Sequence, residues 1–230
     1  MINAPGRLSG ATIAFDLDGT LVDTAPDLIG ALNVILGQRG LPQMPVDAAR
    51  HLVGQGARNL IVKGFAEAGE PLDEAQTVGL TEQFLALYAD RIAAESRPFP
   101  GLEDALDVLT AEGATLCVCT NKSTHLSLAL LDALDLTRRF AAVIGWDKAP
   151  TKKPHPSHYV TAIEAAGGTV GRSLMIGDSF ADVDSAHAAG APVVVVSFGY
   201  SETPYRELGG DVVIDAFSEL PAVAARLLAK

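Results

Sequence analysis

From residue 97 onward short apolar runs alternate with longer amphipathic ones, and no other feature restricts the fold as much. The apolar runs cover 115–119, 141–144, 173–176, 193–196 and 212–214, each of strand length. Between and after them lie helical patterns over 102–112, 123–134, 156–166, 179–189 and 218–228. Strands that alternate with helices of this length build right-handed βαβ units, so the strands lie parallel and both sheet faces are covered. One further strand-like run, Ile13 to Phe15, stands apart near the N-terminus. The intervening residues 24–95 show helical periodicity and no clear strand. Thr24, with Asp27 three residues on, reads as the N-cap of a helix reaching Gly40. Helices over 46–52, 57–68 and 73–94 follow, the last with an apolar stripe at Val78, Leu80, Phe84, Leu85, Leu87 and Ile92. The pattern therefore predicts an α/β core interrupted, just after its first strand, by an all-helical insert. Its two connections, near 21–23 and 96–101, would let the insert move as a lid over the sheet edge.

Ligands of open α/β sheets bind beyond the C-terminal strand ends, and four predicted ends here carry polar clusters. The first strand runs into Asp16 and Asp18, then Gly19 and Thr20. Two residues apart in extended chain, the two carboxylates leave the same face and repel unless a cation or a proton relieves them. Strand 115–119 ends in Thr120, Asn121, Lys122 and Ser123, a hydroxyl and amide set suited to an anion. Lys153 precedes Pro154, whose ring holds it extended, and is presented just ahead of a helix; Lys152 is the alternative lysine. Strand 173–176 ends in Gly177, Asp178 and Ser179, with Asp182 one turn further on. Singly, these are also an acidic turn, a helix cap, a basic loop and a capping acid. Together they lie on one edge of one sheet. Oxygen ligands without clustered Cys or His suit a hard cation, with Mg²⁺ the natural choice. Mg²⁺, lysine and amides form a phosphate-binding set, beside which one aspartate can be a nucleophile and another an acid/base.

The net charge of −11, from 17 basic and 28 acidic residues, argues against a nucleic-acid or anionic-membrane partner. Cys117 and Cys119 lie two apart on one strand and read as reduced core, which suits a cytoplasmic protein. The N-terminus MINAPGRLSG lacks the apolar region of a signal peptide, and the VVVV run at 193–196 is far short of a membrane span.

FDLDGTLVD at 15–23, TNKS at 120–123, KP at 153–154 and GDSFAD at 177–182 resemble, in order, the four motifs of the haloacid dehalogenase superfamily. The resemblance covers essentially the whole chain. It implies a Rossmann-like parallel-sheet core at 1–20 and 99–230, with a helical cap of the C1 type at 21–98. Asp16 would be the nucleophile and a Mg²⁺ ligand. Asp18 would be the acid/base, binding Mg²⁺ through its carbonyl. Thr120 and the Asn121 amide would hold the phosphoryl group, and Lys153 would neutralise charge. Asp178 would bind the metal, with Asp182 behind it or acting through water. VDTAPDL at 22–28, VGQGARNLI at 53–61, KPHP, FGYS at 198–201 and VIDAFSEL at 213–220 resemble the phosphoglycolate phosphatase branch. That implies a small phosphorylated metabolite, 2-phosphoglycolate, as substrate of a monomer or homodimer. Its carboxylate would be met by a cap cation, Arg58 or, second, Lys63. Asp18 argues against carbon–halogen chemistry, a β-phosphoglucomutase-like transfer stays open, and a phospho-receiver has no use for a lid. His51, His125, His158 and His187 attract no role.

Overall fold

The computed structural model describes residues 6–54 and 56–229; the start of the N-terminal stretch and Gln55 of the VGQG loop lie outside it. Six parallel strands form one sheet. They are β1 (Thr12–Phe15), β4 (Thr115–Thr120), β5 (Ala142–Gly145), β6 (Ser173–Gly177), β7 (Val193–Val196) and β8 (Val212–Ile214). Their order is β5-β4-β1-β6-β7-β8, so the first strand ends up in the middle. Period-two alternation gives each face its own core. Ile13 and Phe15 pack on α5 (Leu102–Ala111), α6 (Thr124–Ala133) and α9 (Leu220–Leu227). Ala14, Cys117 and Cys119 face α7 (Pro156–Ala165) and α8 (Phe180–Ala189). Both cysteines are buried free thiols, as their spacing on one strand face suggests.

The insert holds α1 (Ala25–Gln38), α2 (Val46–Ala49), α3 (Ala57–Glu67) and α4 (Glu74–Ala89). It has its own apolar cluster, with Leu32, Ile61, Phe65 and Phe84 buried. Each such side chain stabilises by roughly 1.5–3 kcal/mol. Asp73 and Gln76 close a capping box at the start of α4, each side chain accepting the other's backbone N–H at 2.8 and 2.9 Å.

Three local expectations are corrected. Helix α4 stops at Ala89 rather than near 94, because Asp27 draws the following chain away: it accepts the N–H groups of Glu95 and Ser96 at 2.9 and 2.8 Å and the Ser96 hydroxyl at 2.7 Å. Its buried stripe is Thr77, Leu80, Phe84 and Tyr88, while Val78 is exposed. Thr24 does stand at the N-cap position of α1, yet it makes no side-chain cap: its φ of −97° and ψ of −6° are helical rather than extended, and its hydroxyl donates to Asp18 at 2.7 Å. The two connections to the insert are also more than loose hinges. They pair as short antiparallel strands, β2 (Val22–Asp23) and β3 (Arg97–Pro98), with Val22 opposite Pro98. No helix among the described residues is long and apolar enough to cross a membrane.

Candidate active site

Strand register brings the polar clusters together. Phe15 lies opposite both Val118 and Ile176. Asp16 is therefore the first residue past that level on β1, and Thr120 and Asp178 are second past it on the neighbouring strands. Beyond Asp16 the chain turns tightly, with Leu17 buried and its carbonyl accepting the Leu21 and Val22 N–H groups at 3.0 Å each. Gly19 is required in that turn. Its φ is +82°, and a Cβ there would lie 2.5 Å from Asp178 Oδ2.

Asp16, Asp178 and Asp182 are all buried, with one carboxylate oxygen of each within 4.8 Å of the others. Lys153, only 2% exposed, is the ammonium among them. Its Nζ donates to Asp182 Oδ1 at 2.5 Å and to the Cys119 carbonyl at 2.7 Å, and lies 3.1 Å from Asp16 Oδ1. Asp182 also accepts the Ser179 N–H and hydroxyl at 3.1 and 2.6 Å, which closes a capping box at the start of α8. Asp178 accepts the Tyr200 N–H at 2.7 Å and the Thr20 hydroxyl at 3.3 Å. Burial raises Asp16 to about 6 although Lys153 pulls it down. Burial and the charges of Asp182 and Asp16 raise Asp178 well above the ordinary carboxylate range. Three clustered acids with one ammonium leave an excess of negative charge in a dry place. A divalent, oxygen-seeking cation fits that excess and that donor set.

The Asp18 carboxylate points elsewhere. It accepts the Thr24 hydroxyl at 2.7 Å and the Lys122 ammonium on both oxygens, at 2.8 and 3.0 Å. Lys122 Nζ also sits 4.6 Å from the centre of the Tyr88 ring on α4. Burial alone would lower the Lys122 pKa, but Asp18 raises it above the usual lysine value. Thr120 is buried, with its hydroxyl accepting the Lys122 N–H at 3.2 Å. The Asn121 side chain donates to the Lys153 carbonyl at 3.0 Å, so this residue ties two of the clusters together.

A cavity of about 470 Å³ opens between these residues and the insert. Asp16, Asp18, Thr120 and Lys122 line one side, and Val53, Phe84, Leu85 and Tyr88 the other. Arg58 also lines it but forms an ion pair with Glu74, with its side chain more than half exposed. Lys152 lines it as well and is exposed. Lys63 turns to Glu202, 3.4 Å away.

Sequence reasoning named Lys122 within TNKS and Tyr200 within FGYS but gave neither a role of its own, and it did not single out Tyr88. Tyr200 joins the acid cluster to the hinge: its N–H is on Asp178, and its hydroxyl donates to Asp23 at 2.6 Å and accepts the Ala25 N–H at 3.1 Å. Arg50 forks onto the same Asp23 at 2.6 and 3.0 Å. One signal was there to use for Tyr88: it follows Phe84 by four residues, which places a phenol on an apolar stripe.

Residues 13–196 match the family model described as haloacid dehalogenase-like hydrolase. A phosphoglycolate phosphatase of Caulobacter vibrioides is 55% identical over 221 residues, 96% of this chain and 93% of that one. One from Agrobacterium fabrum is 46% identical, over 94% of this chain and 93% of its own length. The crystal structure of a predicted phosphoglycolate phosphatase from Haemophilus somnus superposes with a TM-score of 0.84 at 29% identity, covering 94% of this chain and 98% of that one.

Proposed function

This chain belongs to the haloacid dehalogenase-like hydrolases, and from that premise we propose that it hydrolyses 2-phosphoglycolate to glycolate and phosphate in the cytoplasm, as a monomer or homodimer. The observation that carries the reading is the Asp16 carboxylate, buried at the end of the central strand, touching Lys153 and lining the cavity together with Asp18. The relatives' shared name supports the choice of substrate.

Asp16 attacks phosphorus, forming an aspartyl-phosphate as the ester bond breaks. Asp18, which lines the cavity, gives the leaving oxygen its proton. It then takes a proton from the water that attacks the aspartyl-phosphate, and phosphate leaves Asp16. Lys153 offsets charge on Asp16 and the phosphoryl oxygens, while the Thr120 hydroxyl and Asn121 N–H orient them. Asp16 and Asp178, the Asp18 carbonyl and, behind them, Asp182 would hold Mg²⁺. That ion supplies electrostatic stabilisation of the transferring group. Residues 21–98 act as the cap that excludes water; Arg58 and Lys63, each paired with an acid, Glu74 and Glu202, would meet an anionic substrate only by exchanging those partners.

With Mg²⁺, the purified protein should release phosphate from 2-phosphoglycolate. Asp16→Asn should lower turnover on the order of 10³-fold or more, with an unchanged circular dichroism spectrum. Activity that survives this change would overturn the nucleophile.

A further inference from the structure

An acid such as phosphoglycolate puts a carboxylate two bonds from the oxygen that leaves. A general acid acts within hydrogen-bond reach of that oxygen, so the carboxylate must come to rest beside Asp18. The cation there is Lys122. It is buried, whereas Arg58 is spent on Glu74 at the rim and Lys152 is exposed. An ammonium has three N–H donors. Two close on the Asp18 oxygens, which leaves one free of that residue.

A second observation points to the same place. Tyr88, across the Lys122 ammonium on α4, lines the cavity and is 1% exposed. Its hydroxyl is buried with no partner at full hydrogen-bond distance among the described residues, and the Lys122 ammonium is the donor close enough to act on it. A buried unpaired hydroxyl costs about 1–3 kcal/mol and requires an explanation. Val53, Phe84 and Leu85, which line the cavity with it, carry no side-chain acceptor. A carboxylate seated between the ring's hydroxyl and the Lys122 N–H that Asp18 does not take would accept a full hydrogen bond from each.

We propose that Lys122 and Tyr88 form the receptor for the carboxylate of the substrate, one contributed by the core and the other by the helical insert. This rests on the phosphoglycolate reading and adds to it the residues that set specificity. It also makes the acid group the contact that joins the two parts of the molecule around the ester.

The test compares kcat/KM for 2-phosphoglycolate and for ethyl phosphate, which lacks the carboxylate, in wild type, Tyr88→Phe and Lys122→Gln. The wild type should prefer phosphoglycolate. That preference should shrink about tenfold in Tyr88→Phe and about a hundredfold in Lys122→Gln. Because Lys122 also touches Asp18, both substrates will slow in its variant, and the ratio isolates the carboxylate. Glycolate should inhibit the wild type more strongly than it inhibits Tyr88→Phe. A wild-type preference that survives both substitutions would overturn the receptor and leave the phosphatase assignment intact. A wild type that turns over ethyl phosphate faster than phosphoglycolate would overturn the substrate, and the receptor with it.

Discussion

His158 holds the backbone that presents Lys153. Its Nδ1 accepts the Lys153 N–H at 3.2 Å and its Nε2 faces the Ile144 carbonyl at 3.1 Å. An imidazole with one nitrogen accepting and the other donating is neutral. Burial and the nearby Lys153 charge push its pKa down to about 4. The unfolded chain titrates near 6.5. Between those values the unfolded state binds a proton that the folded state refuses, so this residue's contribution to stability rises with pH across the window and is lost on acidification. Wild type should therefore lose roughly 3 kcal/mol more than His158→Gln between pH 7 and pH 4, measured by urea unfolding of the two proteins side by side. Asp16, raised to about 6, acts in the opposite direction, and only the difference between the two proteins isolates the imidazole. At this scale the sequence was legible where chemistry is written in residue type and position. Asp16, Thr120, Lys153, Asp178 and Asp182 converge where strand ends said they would. Lys122, Tyr88 and Tyr200 were not legible, because their roles come from partners 104, 34 and 177 residues away.

The elements carry a second consequence. Asp27, on the first turn of α1, is fully buried and accepts three hydrogen bonds from Glu95 and Ser96. It locks the chain leaving the insert against the helix that enters it. Asp27→Ala would strand two backbone donors, at a cost of about 2–4 kcal/mol, read as a lowered denaturation midpoint; a midpoint equal to wild type would remove Asp27 from this role. The same residue explains a limit of pattern reading. Asp27 three residues after Thr24 looks like a capping box, and the pattern of α4 runs on toward 94. Both impressions are overridden by contacts across 68 and 69 residues, which periodicity does not report. Two-residue strands such as β2 and β3 leave no period at all. The other long helices and the apolar strands did, and, the end of α4 apart, their positions hold to within a residue or two.

For the molecule as a whole, the parallel sheet was readable from βα alternation, but the central place of β1 was not. It is that place, between β4 and β6, that draws three motifs distant in sequence onto one cluster of acids. If the cluster holds Mg²⁺ as proposed, stability depends on that ion. Mg²⁺ at a hundred times its dissociation constant should stabilise the fold by about 2.7 kcal/mol, which for a chain of this size raises the melting temperature by about 5–10 °C. The shift should vanish in Asp178→Asn. Thermal unfolding in chelator and in Mg²⁺ decides it, and identical curves would remove the acids from metal binding.

The ladder between β2 and β3 has one more implication. Because Val22 lies directly across from Pro98, the seventy-odd residues between them begin and end at the same spot. Such a segment is a cassette. It can be shortened, replaced by a relative's or drifted through mutation while the strands that hold the attacking aspartate stay in place. Evolution can therefore retune what the enzyme accepts without reopening the question of how it cleaves. A laboratory graft spliced at that rung would inherit the same freedom.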